Sequence, residues 1–169
     1  MHRVNRRQAL GGAGAAAACF LVGRKSEAAQ PQAAVQDVRV VTLQPDLYCG
    51  WPTVARRANG QLILSYSGGR EGHVCPFGRV EFMQSDDEGV SWTWPRVLVD
   101  SVLDDRDSGV LETAKGSILV TTFSSLAYES LLAGAEKAAG GKGAWPEERL
   151  RRWQAAHRRA SPEVRKAQL

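Results

Sequence analysis

Two short segments of the chain concentrate side chains that bind anions or exchange protons. The first contains Arg70, Glu71 and His73, and the second is the run Asp104-Asp105-Arg106-Asp107. A guanidinium group is always charged and offers a planar fork of N–H donors, whereas carboxylates and imidazole act as general acids and bases. If the fold brings the segments together, they form a site for a polar sugar. The alternative is that they form ordinary surface ion pairs, which contribute little.

An internal repeat indicates how the two segments are positioned. Two predicted β-hairpins match at a constant offset of 56 residues, as between Gly60 and Gly116. The other matched pairs are Val54/Val110, Ala58/Ala114, Leu62/Ile118, Ile63/Leu119, Leu64/Val120 and Ser65/Thr121. Four-stranded units that recur every 40–50 residues or slightly more are typical of β-propeller blades. Unless the two hairpins are alike by chance, Arg106 occupies the place of Gly50 one blade further on, at the same axial end as the loop after Arg70.

The elements that carry these segments are predicted to be short strands followed by helices. The predicted strands are Val38–Leu43, Thr53–Ala58, Leu62–Ser67, Val80–Gln84, Trp92–Val99, Val110–Thr113 and Ile118–Phe123. Asn59-Gly60 predicts a tight hairpin turn, and Pro95 predicts a sheet edge or a bulge. Three helices are predicted, over Leu126–Ala139, from Trp145 and from Ser161. We therefore expect an all-β scaffold over residues 38–125 with a helical insertion over residues 126–169, whose nine basic residues form a solvated face.

The N-terminal residues are typical of an export signal. Residues 1–28 combine a basic start containing Arg6 and Arg7, an apolar Gly/Ala-rich run and a small-residue cleavage site. The paired arginines with Leu10 resemble the twin-arginine signal, so we expect export to the periplasm or beyond by that route, followed by a linker over residues 29–37. A frayed basic terminus and a lipoprotein signal around Cys19 are the alternatives. The apolar run is too short for a resident membrane helix.

Charge and cysteine content narrow the classes of partner. The formal net charge is +4, and the excess of basic residues lies in residues 1–28. The rest of the chain is therefore neutral overall, and no nucleic acid partner is expected. Removal of the leader would leave Cys49 and Cys75, which are a possible disulfide pair in an oxidising compartment. No zinc-ligand spacing, phosphate-binding loop or nucleophile elbow occurs, and therefore neither a metal nor a cofactor is expected.

One further motif has a physical role for each specified position. The segment Ser85-Asp86-Asp87-Glu88-Gly89-Val90-Ser91-Trp92 fits the pattern S-x-D-x-G-x-x-W. The aspartate accepts hydrogen bonds in a tight turn, the glycine takes a positive φ, and the tryptophan folds back as an apolar plug. Ser85, Asp87, Gly89 and Trp92 therefore resemble the Asp-box of sialidases and related β-propellers. In that family the motif is structural and joins the third and fourth strands of a blade.

The resemblance to a bacterial subgroup of the sialidase superfamily extends from about Tyr48 to Ser125. It implies a six-bladed β-propeller whose first one to two blades fall within this chain. It also implies an exo-α-sialidase type of glycoside hydrolase acting on a sialoside or another glycan. Such enzymes bind the sialate carboxylate with three arginines, and they use an aspartate as acid/base and a Tyr–Glu pair as nucleophile.

The resemblance also implies roles for individual residues. Gly50-Trp51-Pro52 stands where the family has its first arginine, and Arg70 matches the second. The loop after Arg70 lacks the family aspartate. With Glu71 or His73 as a substitute for that aspartate, and with the segment that the repeat places beside Arg70, the candidate catalytic residues are Arg70, Glu71, His73 and Asp105. The candidate substrate-binding residues are Arg70, Arg106 and Asp107.

Three functions remain open at this level. The leading expectation is an exported sialidase-like glycoside hydrolase, of which this chain is the N-terminal part. The second is a non-catalytic Asp-box propeller that binds a glycan or a protein. The third is an inert fragment, because two blades cannot close a ring and leave apolar faces and strand edges uncovered.

Overall fold

The computed structural model describes residues 33–168, and the predicted export signal over residues 1–28 lies outside them. Six strands precede three helices along the chain. The strands are β1 (Tyr48–Arg56), β2 (Leu62–Arg70), β3 (Arg79–Ser85), β4 (Arg96–Val99), β5 (Asp104–Glu112) and β6 (Ile118–Ser125). The helices are α1 (Tyr128–Lys137), α2 (Glu147–Arg159) and α3 (Pro162–Gln168). The fold is therefore mostly β-structure, with the helical segment in the predicted place.

The first four strands form one antiparallel sheet in the order β1-β2-β3-β4, and β5 and β6 pair in a second sheet. Each neighbouring pair in the first sheet is consecutive in sequence, as expected for a meander joined by short turns. The strand β4 lies at the edge of the sheet. Proline has no backbone N–H to donate to a neighbouring strand, so Pro95 is tolerated immediately before this edge strand. The two sheets do not close into a barrel within the described part of the chain.

The internal repeat is visible in the backbone. The turn after β1 contains a hydrogen bond from Arg57 N to Gln61 O, and the turn after β5 has the same bond from Thr113 N to Ser117 O. Both turns place a glycine, Gly60 or Gly116, at positive φ. Because these bonds recur 56 residues apart, the matched hairpins have the same local geometry as well as similar residues.

The two sheets pack face to face through apolar side chains. Ile63, Phe82 and Val110 are buried together, with Ala55 and Val120 against them. Complete burial of one such aliphatic side chain contributes about 1.5–3 kcal/mol. The other face of the first sheet buries Leu64, Tyr66 and Met83 beneath Trp92. The alternation of the two faces along β2 is the period-two pattern of a strand that is covered on both sides.

The structure corrects several predicted strand bounds. Residues 38–43 form no strand, because no other strand hydrogen-bonds to them, and the side chains of Val38, Val40 and Leu43 are exposed. The predicted strand Trp92–Val99 is shorter and begins only at Arg96. The strands β1 and β5 begin earlier than predicted because polar and glycine residues at their starts still pair with β2 and β6.

The helices pack on the loop that follows β2. Tyr128, Leu132 and Trp153 are buried around Cys75, and Val74 and Phe77 of the same loop pack against this cluster. Cys75 is thus enclosed by helical side chains, whereas Cys49 is exposed on β1, and both thiols are free. The possible Cys49–Cys75 disulfide is therefore not formed in this structure.

Candidate functional site

Three parts of the chain meet at one end of the sheets: the start of β1, the loop between β2 and β3, and the start of β5. Tyr48 is paired with Arg70, and the backbone N–H of Asp105 donates to the carbonyl of Gly78 over 3.1 Å. The Asp-box turn lies at the opposite end, since Ser85 is paired with Leu62. The structure therefore brings the two polar segments together, at the end of the first sheet remote from the Asp-box.

Arg70 is committed to partners inside the protein. Both terminal nitrogens of its guanidinium donate hydrogen bonds to the carboxylate of Asp104, with Nη2 3.1 Å from Oδ2. Both side chains are 0% exposed. Nη2 also donates to the carbonyl of His73, and Nε donates to that of Gly72. Burial raises the pKa of the Asp104 carboxyl, against the opposing effect of Arg70. Arg70 thus shapes the loop and has little donor capacity left for a ligand.

Arg106 is also nearly buried, but it has fewer close partners than Arg70. Its side chain is 9% exposed, and its Nε has no hydrogen-bond partner among the described residues. The nearest carboxylates, those of Asp104 and Asp107, stand 3.6 Å away. The guanidinium lies over the ring of Trp51, 4.6 Å from its centroid, in a cation–π arrangement. A nearly buried arginine whose Nε lacks a hydrogen bond is unusual, because burial of a donor without a partner is costly.

An aromatic cluster that includes Trp51 lies beside Arg106 at this end of the sheets. The ring of Trp51 lies 4.9 Å from that of His73 and 5.8 Å from that of Tyr48, centroid to centroid. His73 and Tyr48 are exposed and Trp51 is half-buried. We call Tyr48, Trp51, His73 and Arg106 the mouth patch. Flat aromatic faces beside a cation and an exposed imidazole can bind a ligand that has both an apolar face and polar edges.

Backbone strain marks the same place in both sheets. Trp51 has φ 50° and Asp107 has φ 53°, a left-handed conformation that is uncommon for residues other than glycine. The two positions correspond under the 56-residue repeat, and each lies at a register shift of its strand. Strain of this kind clusters at ligand sites, where the surrounding structure holds it in place.

Two of the predicted catalytic carboxylates are occupied by internal partners. Glu71 accepts a hydrogen bond of 2.8 Å from Trp153 Nε1 and pairs with Arg149 and Arg152, all on α2. Asp105 is buried and accepts hydrogen bonds from the backbone N–H and the hydroxyl of Ser101. Glu71 thus fastens α2 to the loop, and Asp105 fastens the loop before β5.

The Asp-box residues are arranged as their types predict. Asp87 accepts hydrogen bonds from the backbone N–H of Ser91 and from its hydroxyl, at 2.8 and 2.6 Å. These bonds, with one from Ser85, lower the pKa of Asp87 to about 2. Gly89 has φ 83°, and Trp92 Nε1 donates to its carbonyl while the ring covers the outer core. The motif closes the turn between β3 and β4 and contributes no group to the mouth patch.

The sequence reasoning missed a buried Tyr–Glu pair. Tyr66 donates a hydrogen bond of 2.6 Å to Glu81, which also accepts from Gln44 and Arg79. Burial and the neighbouring carboxylate raise the pKa of the Tyr66 phenol. A nucleophilic phenol needs the opposite shift, so the pair is a structural network. Its only signal in the sequence was a polar residue in each of two adjacent buried strands.

No metal-binding group and no membrane-spanning helix occur in the described part of the chain. None of its clusters of His, Cys, Asp and Glu is placed to hold a metal ion. None of its helices has the length and apolar character that crossing a bilayer requires. A scan against protein-family models finds no model that matches the chain, and a search of curated proteins finds no match either. The fold and the site therefore define an antiparallel β-protein with helices packed beside its polar end.

Proposed function

We propose that this chain is part of an exported Asp-box β-propeller of the sialidase superfamily and that its mouth patch binds a carbohydrate. The observation that carries the proposal is the placement of Trp51 against the guanidinium of Arg106, whose nearest carboxylates are 3.6 Å away. A sugar ring presents an apolar face to an aromatic ring and hydroxyl groups at its edge to charged donors and acceptors. The mouth patch supplies both kinds of contact within one cluster.

The proposal assigns different work to the two arginines. Arg70 is neutralised by Asp104 and supports the loop, whereas Arg106 lies 3.6 Å from its nearest carboxylates and is proposed to turn to a ligand oxygen. Asp107, beside Arg106, has a partly exposed carboxylate whose Oδ1 lies 3.6 Å from Arg106 Nε. A donor and an acceptor side by side suit adjacent hydroxyl groups. This arrangement supports binding of a sugar through its hydroxyls at the place where the family resemblance implies sialate recognition.

Hydrolysis is the second candidate, and His73 is the residue that favours it. An exposed imidazole against Trp51 is accessible to a bound glycosidic oxygen and has the chemistry of a general acid/base. Glycosidases ordinarily need two carboxylates on either side of the bond. Glu71 and Asp105, the carboxylates expected in that role, already have internal partners. Binding is therefore the function that the geometry supports better.

The test is a glycan array followed by titration calorimetry on the purified chain and on Trp51→Ala and Arg106→Gln. We expect either substitution to weaken binding of the glycans that the array identifies by at least tenfold, equivalent to about 1.4 kcal/mol. Trp94→Ala is the matched control, because Trp94 is exposed and lies outside the mouth patch. Equal affinities for Trp51→Ala and the unsubstituted chain, or no binding by either, would overturn the proposal and favour the inert fragment.

Export belongs to the same proposal and is tested separately. It rests on the residue pattern of the leader, with Arg6 and Arg7 followed by the apolar run. Replacement of both arginines by lysine is expected to retain a reporter fused to the leader in the cytoplasm. Unchanged export of that reporter would argue against the twin-arginine route.

A further inference from the structure

A second cleft lies beside the mouth patch, between α2 and the segment that precedes β1. We call it the arginine cleft; its volume is about 530 Å³, and it is lined by Asp46, Leu47, Glu71, Arg149 and Arg152. Leu47 adjoins Tyr48 in the chain, and Glu71 is two residues from His73. Because Tyr48 and His73 are members of the mouth patch, the cleft continues the same surface toward the helices.

The two arginines of the cleft have donors to spare. Their guanidinium groups carry ten N–H donors, whereas Glu71 offers them only two oxygens. Arg152 donates to Oε1 of Glu71, and Arg149 Nε lies 3.4 Å from Oε2 and has no hydrogen-bond partner within the described residues. The side chain of Arg149 is 42% exposed and that of Arg152 is 55% exposed, while that of Glu71 is only 18% exposed. The groups that meet solvent at Glu71 are therefore mainly positive.

Aromatic rings hold the two guanidinium groups in place. Arg149 lies 4.2 Å from the centroid of the Trp145 ring, and Arg152 lies 5.3 Å from that of Phe77. Arginine side chains that are already fixed lose less conformational entropy when a ligand binds. Arginine forks fit the paired oxygens of a carboxylate or a sulfate group. Two carboxylates also line the cleft: that of Glu71, which is already paired with both arginines, and the exposed one of Asp46.

We propose that the arginine cleft is a second subsite that binds a carboxylate- or sulfate-bearing unit of an oligosaccharide whose neighbouring unit occupies the mouth patch. This inference rests on the proposed function, and it makes the ligand an acidic chain of sugars instead of a single sugar. It also gives α2 a role in recognition, whereas the sequence predicted only a solvated basic face there.

The experiment compares binding of dextran sulfate and of uncharged dextran of equal chain length, measured by calorimetry at two salt concentrations. We expect the chain to bind dextran sulfate more tightly than dextran. The double substitution Arg149→Gln/Arg152→Gln is expected to weaken dextran sulfate binding at least tenfold. The matched control Arg151→Gln/Arg158→Gln removes the same charge from exposed positions of the same helix outside the cleft, and we expect a change of less than threefold.

Asp46→Asn provides a test that does not depend on loss of folding. Removing the carboxylate of Asp46 is expected to raise the affinity for dextran sulfate about threefold, because it removes a repulsion between negative charges. The effect is modest because dissolved salt screens charges at an exposed site. Equal losses in the cleft double variant and its control would show general charge attraction and overturn the inference. If Trp51→Ala leaves binding of array-identified glycans intact while the cleft variant loses dextran sulfate, the proposed function fails and the cleft site stands.

Discussion

The two arginines at the polar end of the sheets show how burial changes the role of one residue type. Arg70 and Asp104 are both fully buried and joined at two points, so each compensates the charge of the other. Arg106 lies beside the same aspartate at 3.6 Å and stacks on Trp51. One side chain therefore stabilises the loop, and the other is proposed to bind a ligand.

Arg70→Gln is expected to destabilise the protein strongly. It would leave Asp104 buried without its partner, a situation that typically costs about 3–5 kcal/mol. Chemical denaturation measures the change, and Arg106→Gln is the comparison, for which we expect a clearly smaller loss. Adding Asp104→Asn to Arg70→Gln should recover part of the stability, because position 104 then no longer carries a buried charge that has lost its main partner. A loss for Arg70→Gln no greater than that for Arg106→Gln would contradict the structural role of Arg70.

Among the elements, the turn between β3 and β4 depends on one carboxylate. Asp87 accepts hydrogen bonds from Ser85 and Ser91. The turn that these bonds stabilise places Trp92 over the buried side chains on the outer face of the first sheet. A folded-state pKa of about 2, below the usual 3.8, means that the carboxylate stabilises the folded state at pH values above about 4. This stabilisation disappears as the pH falls toward 2.

Asp87→Asn is therefore expected to lower the melting temperature at pH 5–7 and to have little effect near pH 2. Melting curves recorded across that range measure the difference between the variant and the unsubstituted protein. Asp86→Asn is the control. The Asp86 carboxylate lies in the same turn, but it accepts its hydrogen bond from the Gln61 side chain and not from Ser85 or Ser91. A pH-dependent difference as large for Asp86→Asn would show that the effect is not specific to the Asp-box aspartate.

The helix α2 is held to the loop after β2 by Glu71. Since Glu71 accepts from Trp153 and pairs with two arginines, its replacement by glutamine removes the charge that these contacts share. We expect Glu71→Gln to cost about 1.5–3 kcal/mol, the usual range for hydrogen bonds to a charged group. Hydrogen exchange should then quicken in α2 more than in β2. Glu147→Gln, on an exposed pair of the same helix, should change neither quantity.

At the scale of the whole molecule, the second sheet leaves one face uncovered. Leu111, Leu119 and Phe123 are each about half exposed there, the fractions being 47%, 49% and 52%. Under the 56-residue repeat, Leu111 and Leu119 correspond to Ala55 and Ile63, which pack between the two sheets. The uncovered face thus has the same position in its sheet as a face that is buried in the first one. Contiguous exposed apolar groups of this kind favour association.

The chain alone is expected to self-associate through this face. Leu119→Glu should reduce the association by placing a charge in the apolar surface, and sedimentation at several protein concentrations measures the result. Val90→Glu is the control, because Val90 is also an exposed apolar residue but lies in the Asp-box turn after β3 and not on β5 or β6. Concentration-independent sedimentation as a monomer by the unsubstituted chain would contradict this expectation.

Local patterns sufficed for most of the elements, since the turn residues, strand alternation and helical spacing depend on near neighbours. They located the repeat, the Asp-box turn, the three helices and the strands β2, β3 and β6 to within about three residues, but they misplaced the starts of β1, β4 and β5. They failed at residues 38–43, where an apolar run has no strand to pair with. A strand depends on its partner as much as on its own residues.

The sequence by itself also determined which residue types lie at the polar end of the sheets. The repeat indicated that the segment after Arg70 and residues 104–107 meet there. Only the tertiary structure decided what each residue does. Glu71 is bound by Trp153, a residue 82 positions away, and Cys75 is enclosed by helices that follow the whole β-region. Burial and hydrogen-bond partners are set by such distant contacts, and they distinguish Arg70, which is hydrogen-bonded to Asp104, from Arg106, whose nearest carboxylates are 3.6 Å away.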